Sequence, residues 1–166
     1  MTTISSAKVE FSRTPWQTLV LLSLGFWLSG CLMLDMVIMP SLFVSGMMSS
    51  SEFAISGNMM FGVFNRVELI CGALALTGVL ALSNIGDEFG RRGNLAFLLS
   101  LGLFAIAFID TYGLVPQMSA MGMQLNLFDA VGDVPSAMTG LHERYFILDA
   151  VKIALGGTLL TWCYRG

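Results

Sequence analysis

The stretch Phe61-Gly-Val-Phe-Asn-Arg-Val-Glu-Leu-Ile-Cys71 opens a run apolar enough to cross a bilayer, yet it holds Asn65, Arg66 and Glu68 within four residues. Polar and ionisable groups are costly in hydrocarbon, so they face a bundle interior or a wet cavity and have partners. Those partners must come from elsewhere in the chain. The other apolar runs carry Asp35, Asp110, Asp149 and Lys152.

The surrounding composition fits a membrane protein. The chain has 166 residues, 55% hydrophobic and 11% charged, with a mean hydropathy of +0.78, where a soluble domain is about 25% charged. Four runs reach the roughly 20 residues that a spanning helix needs: 16–39, 61–83, 95–115 and 145–164. They are long and continuous, which speaks for helices rather than the short alternating strands of a barrel. The expected fold is all-α: a single four-helix transmembrane domain over 1–166, built as two helical hairpins. The run 16–39 is too long for the apolar core of a cleavable signal peptide and is read as a span. Pro40 is expected to end the first helix and Pro116 to follow the third, because proline cannot continue the hydrogen-bond ladder. The long connection after Pro116 is expected to hold a short amphipathic helix at the interface.

Basic residues set the orientation. Lys8, Arg13, Arg91, Arg92 and Arg165 flank one side, whereas the other two loops hold none before His142-Glu-Arg144. Both termini are therefore expected to be cytoplasmic. In that frame Asp35, Asn65, Arg66, Glu68, Asp110, Asp149 and Lys152 gather toward the outer ends, and every Met but the initiator lies in an outer half or outer loop. The expectation is a charged, Met-rich vestibule above a closed apolar floor. Asn65, Glu68 and Gly72 share one helix face, as do Tyr145, Asp149, Lys152 and Gly156, because residues three and four apart are neighbours. Phe64–Leu69 parallels Leu148–Ile153, and Asp35 precedes Pro40 as Asp110 precedes Pro116. Two hairpins related by an axis along the membrane normal would bring Glu68 and Lys152 together as an ion pair, with Arg66 reaching Asp35 or Asp110. The competing reading is that such a pair merely fixes helix register, since buried charges need partners whether or not they do chemistry.

Cys31, Met33, Met36, Cys71 and His142 form the candidate metal set, since thioether and thiolate sulfur select copper(I) over hard cations. Against this, Met is a flexible gap filler and Cys a small buried hydrophobe. The single histidine, His142, excludes bis-histidine haem ligation and reads as an interfacial polar residue or a titrating switch. The three cysteines are too few and too dispersed for a disulfide framework. A net charge of −3 with scattered basic residues leaves no nucleic-acid footprint. Ser-His-Asp sets, phosphate-binding Gly-rich loops and zinc motifs are absent from the sequence.

Trp27-Leu-Ser-Gly30, Pro40-Ser-Leu-Phe43 and Gly57-Asn-Met-Met-Phe-Gly-Val-Phe64 resemble the domain-of-unknown-function family that includes transmembrane protein 205, itself distantly similar to CopD-like copper-resistance membrane proteins. The resemblance implies a multi-pass four-helix bundle and a link to metal or metal-drug handling. Phe146-Ile-Leu-Asp149 departs from the family, which tends to place a histidine there, and so weighs against an inherited metal or haem role for the fourth helix.

The expected function is that of a non-enzymatic multi-pass membrane protein whose vestibule binds a small ligand or a soft metal ion such as copper. The alternative is a structural or assembly subunit that docks onto a larger membrane complex or its own copies. A haem-dependent redox enzyme ranks third. The expected location is a bacterial-type inner membrane or an internal membrane such as the thylakoid.

Overall fold

The computed structural model describes residues 14–45, 51–85, 92–128 and 136–165. Lys8, Arg13, Arg91, Asp129, Asp133 and Pro135 lie outside them. Four helices in this structure are long and apolar enough to cross a membrane, and the described residues contain no strand. Helix α1 starts at Pro15–Met33, passes through a π-helical turn at Leu34–Ile38 and continues as Met39–Val44. Helix α2 is Ser51–Ile85. Helix α3 repeats the form of α1, with Gly93–Ile109, a π-helical turn at Asp110–Leu114, then Val115–Phe128. Helix α4 is Ser136–Arg165.

The start of α1 is dictated locally. Thr14 caps it by accepting from the Gln17 N–H at 3.3 Å, and Pro15 takes the first turn, where its missing N–H costs nothing. Neither inner proline ends its helix, contrary to the expectation. The Met39 N–H bonds back to Leu34 and the Val115 N–H to Asp110, five residues each. Each wide turn sits directly before a proline and makes room for its ring against the preceding turn. Just past the wide turn, Ser41 Oγ donates back to Val37 O at 2.5 Å. The segment after Pro116 therefore extends α3 instead of forming a separate interfacial helix, and α2 and α4 begin well before residues 61 and 145.

The helices form a ring in which chain neighbours are antiparallel and α4 closes against α1. At one end Gln17 Nε2 donates to Cys163 O at 2.8 Å, tying the start of α1 to the end of α4. Gly78 lies against Val20, and Gly156 against Leu28. These glycines let helices approach closely where apolar burial gives little drive for association. Helices α1 and α3 face each other across one diagonal, α2 and α4 across the other.

The two hairpins are equivalent in how they bury residues. Val20, Leu24, Trp27, Cys31, Leu34 and Met39 of α1 match Ala96, Ser100, Leu103, Ala107, Asp110 and Val115 of α3 at one constant spacing, and all are buried. The two π-helical turns and the two prolines fall on the same spacing. Asn65, Glu68, Gly72, Ala75 and Val79 of α2 match Asp149, Lys152, Gly156, Leu159 and Cys163 of α4 in the same way. The parallel expected between 64–69 and 148–153 thus holds in the burial pattern. Asp110, however, matches Leu34 and not Asp35.

Substitutions at two glycines separate close packing from open surface. A Cβ at Gly78 would fall within 3.0 Å of the Val20 side chain, whereas one at Gly25 would meet nothing. Gly78→Ala is expected to destabilise the detergent-solubilised protein by about 1–3 kcal/mol, with partial recovery when Val20→Ala is added; Gly25→Ala should be near neutral. Thermal or denaturant unfolding in mild detergent measures this, and a fully stable Gly78→Ala protein would show that α1 and α2 do not pack there.

Candidate functional site: a buried charge cluster where four helices meet

Lys152 projects from α4 into the centre of the bundle, with its side chain almost wholly buried. Its Nζ donates to both oxygens of Glu68 on α2, at 2.9 and 3.0 Å. The same ammonium lies 3.1 Å from Asp110 Oδ2 on α3 and 2.8 Å from Asp149 Oδ1 one turn back on α4. Helix α1 supplies two further donors to Glu68 Oε1: Trp27 Nε1 at 2.8 Å and Cys31 Sγ at 3.2 Å. All four helices therefore converge on one ion pair, which spans the α2–α4 diagonal.

The helical repeat explains which side chains arrive. Asn65, Glu68 and Gly72 lie on one face of α2, and Tyr145, Asp149, Lys152 and Gly156 on one face of α4; every one of them is buried. Asn65 Nδ2 donates to Phe61 O at 2.8 Å, and the Thr111 hydroxyl, which donates to Ala107 O at 2.7 Å, lies 3.3 Å from Asn65 O, setting α3 against α2 beside the cluster. The Tyr145 ring centroid stands 5.4 Å from Lys152 Nζ and edge-on to Phe61. Asp35, half-buried, lies beside Asp149.

Charge and hydrogen bonding are both unbalanced here. One ammonium faces three buried carboxylates. Its hydrogen bonds go to Glu68, while Asp110 Oδ2 and Asp149 Oδ1 meet the same ammonium as ion pairs. Asn65 Oδ1 and the Tyr145 hydroxyl are buried without a partner. Buried polar groups are nearly always paired, and here three acidic groups share a single ammonium.

Several expectations change. The cluster is not an open vestibule at the helix ends. Glu68, Asp110 and Lys152 sit near the middle of the apolar spans Ser56–Asn84, Gly93–Met121 and Gly140–Arg165, because those helices extend further than the sequence suggested. Arg66 does not reach Asp35 or Asp110; it is exposed, since two residues from Glu68 on a helix is nearly the opposite face. Lys152 takes Asp110 instead.

The candidate metal set does not assemble. Met33 and Met36 are 54% and 68% exposed and turn outward. Cys71 is buried in the apolar core, and His142 lies two turns from Asp149 on α4. Only Cys31 joins a possible ligand group, with Glu68 and Asp149, whose donor atoms lie within 4.8 Å of one another. That group offers one sulfur and two carboxylate oxygens, a donor set leaning toward hard cations. Trp27 was missed as a site residue. Its signal was a tryptophan in the interior of a span, one turn before Cys31, when tryptophans usually mark span ends.

Removing the ammonium alone leaves three carboxylates facing one another. Lys152→Met is expected to cost about 3–5 kcal/mol, and the Glu68→Gln/Lys152→Met double variant should be more stable than Lys152→Met. Trp27→Phe, which deletes one charged hydrogen bond, should cost about 1.5–3 kcal/mol. Unfolding in detergent reports all three; equal stability of the single and double lysine variants would show that Glu68 and Lys152 are not coupled.

Comparisons with protein-family models, with curated proteins and with solved structures found no match.

Proposed function

We propose that this chain is a non-enzymatic multi-pass membrane protein that binds a small cation, a proton or an inorganic ion, at the cluster formed by Asp110, Asp149, Glu68 and Lys152. The observation that carries this reading is the charge count: three buried carboxylates against one ammonium. Uncompensated charge in a medium of low dielectric is costly, and bound cations remove the deficit. The location supports it, because membrane proteins built from internal repeats place ion and substrate sites near the midplane, where the repeats meet. Asn65 Oδ1 and the Tyr145 hydroxyl offer neutral oxygens to the same ion.

Access is from one side. Toward the end that carries Asp35 and His142, the polar groups Asp35, Asn65, Tyr145 and Thr111 continue outward from the cluster. In the other half the buried residues are Val20, Leu24, Ala75, Val79, Leu82, Ala96, Leu159 and Cys163, with Ser23, Ser100 and Gln17. In a bacterial-type inner membrane or a thylakoid, with both termini cytoplasmic, the ion enters from the side opposite the termini. The resemblance to the family that includes transmembrane protein 205 agrees with this reading, but a copper site does not follow from it, since Cys31 is the single sulfur in the ligand group.

A second reading, a subunit docked onto a larger membrane complex, is favoured by one feature. Arg66 is exposed on the outward face of a helix long and apolar enough to span a membrane, and a cation facing hydrocarbon calls for a partner. Stoichiometric co-purification of a second protein in mild detergent, lost on Arg66→Leu, would support it.

Infrared difference spectroscopy tests the cation reading. Titrating the size-purified protein with acid, and separately with sodium or calcium at fixed pH, should change the carboxyl and carboxylate bands. Asp149→Asn or Asp110→Asn should remove part of that change. Bands insensitive to both titrations would overturn the proposal. Elemental analysis showing stoichiometric copper would replace it with the soft-metal reading.

A further inference from the structure

A groove of about 400 Å³ runs between α1 and α2, within the roughly 300–1,000 Å³ typical of small-molecule sites. Phe26, Trp27, Met33, Met60 and Phe64 line it, and Glu68 lies at its inner end. Phe26, Met33 and Val63 at its mouth are more than half exposed, so it opens sideways from the bundle, toward lipid if the helices span a membrane. Trp27 forms the inner wall and donates its indole N–H to Glu68 at 2.8 Å. A hydrogen bond to a carboxylate pushes electron density into the ring and strengthens its attraction for a cation at its face.

The two hairpins provide an internal comparison. Where α1 has Phe26 and Trp27, the equivalent positions of α3 hold Gly102 and Leu103; where α2 has Glu68, α4 has Lys152. The aromatic pair thus accompanies the carboxylate and is missing beside the lysine.

We infer that this groove is a binding site for an amphiphilic organic cation, a quaternary ammonium carried on an alkyl chain, which enters sideways and places its head against Trp27 and Phe64. The inference rests on the cation-binding reading, because the excess negative charge behind Trp27 supplies the electrostatic attraction. Aromatic faces recognise quaternary ammonium groups through the ring quadrupole, and methionines adapt to chains of varied shape.

The test is calorimetric titration of decyltrimethylammonium into the protein in zwitterionic nanodiscs, with empty nanodiscs subtracted and decanol and decyl sulfate as neutral and anionic counterparts. Saturable binding of one decyltrimethylammonium per chain is expected, with decanol and decyl sulfate giving only the background of the empty discs. Val63→Phe, which fills the mouth, should weaken binding at least about tenfold. Phe64→Leu, which removes one of the two aromatic faces at the head and keeps an apolar side chain, should weaken it about threefold to tenfold, in line with the loss of one cation–π contact. Equal binding by wild type and both variants, or equal binding of decanol, would overturn the inference and assign the groove to acyl chains. The infrared response to inorganic cations separates the two proposals. If it persists in wild type and in Val63→Phe while decyltrimethylammonium fails to bind, only the groove inference falls. If wild type shows neither, the cation reading falls with it.

Discussion

The rest of the bundle depends on how the Lys152 ammonium is compensated. In an apolar interior a lone ammonium would be prohibitive, and attraction to a partner offsets desolvation only when geometry is good and the remaining donors are used. Glu68 meets that condition with two short contacts, and Trp27 and Cys31 hold its Oε1 in place. Since Glu68 and Lys152 lie on diagonal helices, the pair cannot form unless the ring is closed. The ion pair therefore acts as a registry device: sliding either helix by one turn, about 5 Å, would leave charges unpaired in the interior.

The near-equivalence of the two hairpins sharpens this. Burial patterns, π-helical turns and prolines repeat, yet the central position carries a carboxylate in one hairpin and an ammonium in the other. Two identical hairpins would set like charges against each other across the axis. The inversion turns that repulsion into the contact that closes the bundle. The extra carboxylates, Asp110 and Asp149, go beyond what closure needs.

The π-helical turns link the backbone to the same site. Each lies directly before a proline, at Asp35 on α1 and at Asp110 on α3. Wide turns inside α-helices often occur at functional positions. Here they let α1 and α3 continue through prolines that would end a helix in water, and they set Asp110 in the interior at the depth of Lys152.

Much was legible in the sequence because hydrophobicity and helical spacing are local properties. Four apolar runs gave four helices, and spacing of three and four put Glu68 with Asn65 and Lys152 with Asp149. Opposite charges in matching runs pointed to the Glu68–Lys152 pair. What remained illegible depended on neighbours. Helix ends were placed too early because Pro40 and Pro116 stop helices in water, whereas an apolar setting favours a wide turn and continuation. Arg66 and Glu68 are two residues apart, which on a helix puts them on nearly opposite faces, but which of the two faces turns inward was decided by the packed helices. The methionines were grouped by depth along the chain, but the rotation of α1 turns Met33 and Met36 outward and Trp27 and Cys31 inward. Sequence by itself determined that charges would be buried and that Glu68 would answer Lys152. Only the tertiary structure decided that three carboxylates would surround one ammonium, because that count depends on how four helices are rotated about their axes, which no single helix specifies.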